Sequence, residues 1–83
     1  MLKGPGDVIR TMSRGLVVEA FRVIYEVNDL VNKGSIRSAE GIVKNFSRDA
    51  LGYAYYVLAL ASNKLGITNG GEVVMKIIGG GAL

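Results

Sequence analysis

The chain of 83 residues contains no cysteine, no histidine and no tryptophan, and a single proline, Pro5. Without cysteine there are no disulfides and no thiolate chemistry, and without histidine the usual zinc ligand sets are gone as well. A general base working near neutral pH would have to be a perturbed carboxylate or lysine. Seven acidic residues are present, no cluster of them has metal-ligand spacing, and most stand three or four positions from a basic residue on a predicted helix. Such pairing favours the ionised carboxylate and works against a raised pKa. Gly4-Pro5-Gly6 and Gly79-Gly80-Gly81 lack the strand–loop–helix setting of a phosphate loop. No catalytic residue, metal site or cofactor is therefore expected. Also missing is any long uncharged run: Ala50 to Asn63 is the longest and is too short to cross a bilayer. Lys3 could begin a signal sequence, but Asp7, Arg10, Arg14, Glu19 and Arg22 interrupt any apolar core, so no leader is expected.

What the chain has in quantity is apolar surface. Hydrophobic residues make up 49% and charged residues 20% of it, with a mean hydropathy of +0.32. A chain this short allows one domain and buries only roughly 60–65% of the surface its unfolded form exposes. Small folds are commonly stapled by disulfides, a metal or oligomerisation, and only the last remains. Part of the apolar surface is thus expected between subunits, with lipid as the lesser alternative. The glycine-rich ends, Lys3-Gly-Pro-Gly6 and Gly79-Gly-Gly-Ala-Leu83, are expected to be ordered only where neighbours hold them.

The periodicity predicts an all-α fold: an antiparallel hairpin of two long helices plus a short C-terminal helix, in one domain over residues 1–83. Helix 1 is expected over 7–32, capped by Asp7. Ile9, Met12, Leu16, Ala20, Val23, Val27 and Leu30 form a heptad-like seam, and Val17, Phe21, Ile24 and Val31 widen it. Its charges pair as Glu19–Arg22, Arg22–Glu26 and Asp29–Lys33. The turn at 32–35 places Gly34 at the left-handed C′ position and Ser35 as the next cap. Helix 2 is expected over 36–65. Its first half is amphipathic through Ile36, Ala39, Val43, Phe46 and Ala50. Its second half, Ala50 to Ala61, is apolar all round and so should be buried all round. Leu51, Tyr53, Tyr55, Tyr56, Leu58 and Leu60 are the expected self-assembly residues. Residues 72–78 read as a short helix, with a strand as the alternative because Val73, Val74, Ile77 and Ile78 are β-branched. Gly79–Gly81 should end it.

Net charge is +3, mild enough to permit a nucleic-acid partner without demanding one. On a continuous helix 2, Arg37, Lys44 and Arg48 fall within about 40° of one another, with Lys33 at the adjoining turn. Such a row suits a phosphate backbone read by charge alone. The alternative is a solvated face or inter-subunit pairing with Glu19, Glu26 or Asp29. Arg10 and Arg14 form a second patch of like charges at i,i+4. Neither patch carries interleaved aromatics for base stacking.

In its layout, with a two-faced helix 1, the 32–35 turn, the apolar 50–61 block and the Gly79–Gly81 tail, the chain resembles the small helical major coat proteins of rod-shaped or bacilliform archaeal viruses, the clavavirus-like kind. The resemblance covers the whole chain. It implies a capsid protein that assembles with copies of itself into a helical virion shell around double-stranded DNA, with a basic row facing inward. The chain also resembles conjugative-type pilins, two-helix hairpins of extracellular filaments without nucleic acid. It departs from them in the charged helix 1, with Arg14, Glu19, Arg22, Glu26 and Asp29.

Overall fold

The computed structural model describes residues 13–61, 64–67 and 71–82. Over these residues the chain is all-α: four α-helices packed compactly, α1 (Arg14–Asn32), α2 (Ile36–Ile42), α3 (Arg48–Ala61) and α4 (Gly71–Ala82), with a 3-10 turn at Val43–Asn45 between α2 and α3. The radius of gyration is 12.1 Å, against about 12 Å for a compact chain of this length.

Helix α1 starts at Arg14 with Ser13 as its N-cap, so the expected helix over 7–32 is not continuous through residue 13; the Asp7 cap and Arg10 lie outside the described residues. Ser13 is extended (φ −67°, ψ 154°) and its hydroxyl oxygen accepts a hydrogen bond from the Leu16 N–H at 3.2 Å. One of the helix's four orphan donors is thereby satisfied. Of the predicted seam, Ala20, Val23 and Val27 have no exposed surface and Leu16 and Leu30 are half-buried; Ile24, from the widening line, is buried with them. The helix ends as its sequence predicts. Gly34 adopts φ +80°. The Ser35 N–H donates to the Leu30 carbonyl at 2.8 Å and the Gly34 N–H to the Val31 carbonyl at 3.0 Å, the paired closure of a Schellman turn. Ser35 precedes α2, but its side chain makes no capping bond.

The expected continuous helix over 36–65 is two helices. After Ile42 the backbone tightens into the 3-10 turn, Phe46 becomes extended (φ −110°, ψ 151°), and α3 begins afresh at Arg48. Two local bonds and one distant one produce the break. The Ser47 hydroxyl accepts from the Ala50 N–H at 3.2 Å, and the Ser47 carbonyl accepts from Leu51 N–H at 3.0 Å, so Ser47 is the N-cap of α3. Its own N–H, which in a capping box would turn to a glutamate three residues on, finds Ala50 there instead. It donates to Oε2 of Glu19, 28 residues away on α1, at 2.8 Å. Glu19 thus caps α3 from outside and makes no ion pair with Arg22. Arg22 pairs with Glu26 at 3.6 Å and lies 5.7 Å from the centre of the Phe46 ring.

Helix α3 lies between α1 and α4 and makes its main contacts with both. Ala50, Leu51, Tyr53, Ala54 and Leu58 face inward. The Phe21 and Tyr53 rings meet edge to face, 6.5 Å apart at 81°, fastening α1 to α3. The helix stops at Ala61 rather than Leu65. Gly66 then takes φ +76° and Ile67, 2% exposed, pins the connection to the core. Helix α4 is longer than expected and runs through Gly79–Gly81 instead of ending there. Val74 and Ile78 are fully buried on its inner face. The α1, α3 and α4 faces, closed by Ala39, Val43 and Ile67, form one apolar cluster.

Candidate assembly and nucleic-acid surfaces

The break at 43–47 takes apart the basic row. Arg37 sits on α2, Lys44 in the 3-10 turn and Arg48 at the first position of α3, so the seven- and eleven-residue steps no longer describe one helix surface. All three remain exposed, and none has a carboxylate within 4 Å among the described residues. Arg14 is likewise exposed and without an ion pair among the described residues, at the N-terminus of α1. Arg14 and Arg48 each bring a positive charge to the end of a helix where the macrodipole disfavours it. Both ends would gain from an anion held nearby. Lys33 is engaged differently: its Nζ lies 2.9 Å from Asp29 Oδ2, as the spacing predicts. Arg10 lies outside the described residues.

The six apolar residues expected to make subunit contacts divide into two sets. Leu51, Tyr53 and Leu58 are 2%, 8% and 1% exposed and belong to the chain's own core. Within the isolated chain they hold α3 against α1 and α4. Tyr55 and Leu60 are exposed, at 36% and 62%, and Tyr56 is half-buried. On a helix of 3.6 residues per turn, Gly52, Tyr55, Tyr56, Ala59 and Leu60 share an arc of about 140°. Arg48 and Asp49 fall within the same arc in the first turn; beyond that turn this outward face of α3 has no charged residue. Gly52 and Ala59, two turns apart, leave it low enough for a second backbone to approach closely, and a Cβ added at Gly52 would meet nothing within 4 Å.

A second apolar surface lies outside the predicted apolar lines. Val18 and Tyr25 on α1 are 59% and 49% exposed. They are seven residues apart and belong to neither predicted apolar line, which is the signal that they face outward. Val18 opens onto a groove of about 620 Å³ between α1 and the α2–α3 corner, whose walls include Glu19, Arg22, Glu26, Asp29, Ile42 and Phe46. Each of its charged groups already has a partner within the chain. Ile36 and Val73 complete the set of exposed large apolar side chains among the described residues.

Among the described residues no group of three or more acidic side chains could hold a metal ion, and no charged side chain is buried. No described helix is long and apolar enough to cross a membrane. No family model, curated protein or solved structure matches the chain.

Proposed function

We propose that the chain is a non-enzymatic structural subunit that self-assembles into a helical virion shell enclosing double-stranded DNA. The observation that carries this reading is the outward face of α3 beyond its first turn: an arc through Gly52, Tyr55, Tyr56, Ala59 and Leu60 that carries no charge and is only partly covered by the rest of the chain. A helix face turned to water ordinarily carries charge. In a chain this small, an apolar face with two small residues on it suits a second copy. Arg14, Arg37, Lys44 and Arg48, exposed and without ion pairs among the described residues, support the nucleic-acid half of the reading. Such cations bind phosphate through charge and counterion release, without selecting bases.

The test is the absorbance ratio at 260 and 280 nm of purified assemblies, before and after DNase treatment. DNA that copurifies and is protected until the particles are opened supports the shell. Particles free of nucleic acid would replace the shell by an extracellular filament of the pilin type. A chain that never assembles removes both.

A further inference from the structure

We infer that α4 is exchanged between copies: in the assembly, the α4 of one subunit docks on the α1–α3 surface of its neighbour through the contacts it makes within the isolated chain. This rests on the reading of the chain as a self-assembling subunit and specifies how two copies are joined.

Three features of α4 support exchange. Its sequence does not hold a helix by itself. Of twelve residues, four are glycine (Gly71, Gly79, Gly80, Gly81) and four are β-branched (Val73, Val74, Ile77, Ile78), both poor helix formers, and a helix of this length is marginal alone even with good ones. It is therefore helical because it is docked, and an identical bed on a second copy serves equally well. The docking is apolar: Val74 and Ile78 are fully buried, and Gly79 lies under the Tyr55 ring so closely that a Cβ there would be 2.7 Å from Tyr55 Cε2. Finally, Tyr55 belongs both to this bed and to the outward face of α3. A neighbour seated on that face lies beside the site its α4 would enter. The connection carries Gly66, in the left-handed region at φ +76°, a position at which a chain can be re-aimed. Exchange passed from copy to copy is heterologous and generates an open chain rather than a closed pair.

The chain has no native cysteine, so the Tyr55–Gly79 contact can be made into a reporter. The double variant Tyr55→Cys/Gly79→Cys places a thiol on both sides of every docking site and biases neither mode. Oxidised in the assembled state and run without reductant, exchanged subunits give a ladder of covalent multimers, and self-docked subunits give a cross-linked monomer. Each single variant is expected to give no ladder. Should the double variant fail to assemble, mixed assemblies of ¹³C-glycine-labelled and unlabelled wild-type chains read the same contact: exchange predicts magnetisation transfer from labelled Gly79 to Tyr55 rings of unlabelled copies. Assembled particles whose disulfides are all within chains, or mixed assemblies without that transfer, overturn exchange and leave assembly standing. A chain that stays monomeric and cross-links only to itself overturns assembly and exchange together.

Discussion

Replacing Glu19 by alanine removes the carboxylate that caps α3 from α1. Two contributions disappear. The Ser47 N–H loses a 2.8 Å bond to an ionised acceptor, of the charge-assisted kind. The N-terminus of α3, which already carries the unfavourable Arg48, loses a negative charge worth about 0.3–1 kcal/mol. The bond is exposed, so water takes over part of it, and the hydrogen-bond contribution is at the lower end of the range, about 0.5–1 kcal/mol. Together the loss is about 0.8–2 kcal/mol. At about 4–8 °C per kcal/mol for a chain of this size, the melting temperature falls by roughly 3–16 °C in far-UV circular dichroism. Glu26→Ala is the control. Glu26 pairs with Arg22 on the surface, with side chains 46% and 67% exposed, and such pairs contribute about 0.2–0.5 kcal/mol. Glu19→Gln keeps an acceptor without the charge and should melt between Glu19→Ala and wild type. If the Glu19→Ala and Glu26→Ala melting curves superimpose, Glu19 is a surface ion and the tertiary cap is wrong.

Gly80→Ala should raise stability by up to about 1 kcal/mol in chemical denaturation, because alanine is the better helix former and nothing lies within 4 Å of the new Cβ. Gly79→Ala should bring no such gain, since its Cβ meets the Tyr55 ring at 2.7 Å and must displace it; equal gains at both positions would contradict the packing of α3 on α4. Ile78→Ala, at a fully buried site, should cost about 2–5 kcal/mol, and a loss below about 1 kcal/mol would mean that α4 is not part of the core. Leu60→Lys should leave the melting temperature of the dispersed chain nearly unchanged and abolish assembly in sedimentation, because Leu60 is 62% exposed.

Much of this fold can be read from neighbouring residues. Gly34 announces the end of α1, and the i,i+3 and i,i+4 apolar steps find the faces that Ala20, Val23, Ile24, Val27, Ala39 and Val43 bury. The break after Ile42 is concealed by the same periodicity, since Ile36, Ala39, Val43, Phe46 and Ala50 continue in helical register straight across it. Ser47 with Asp49 two residues on is a start signal in its own right, but the group that completes the cap is Glu19, and no local rule couples positions 28 apart. Gly79–Gly81 mislead in the opposite sense: their local preference is to end a helix, and burial of Val74 and Ile78 against α3 overrides it. Loss of the straight basic row follows from the same break, because Arg37 and Arg48 stand on different helices. The apolar block 50–61 is not buried all round as its composition suggests: one side is satisfied by α1 and α4 of the same chain and the other leaves Tyr55 and Leu60 exposed, which only the tertiary structure discloses.

Assembly itself is tested most directly by light scattering of the purified chain over a range of concentrations in mild salt. Self-assembly through the Gly52–Leu60 face of α3 predicts particles far above the 8.8 kDa of one chain, growing with concentration and dispersed by Leu60→Lys. A wild-type chain that remains monodisperse at 8.8 kDa at every concentration would contradict it.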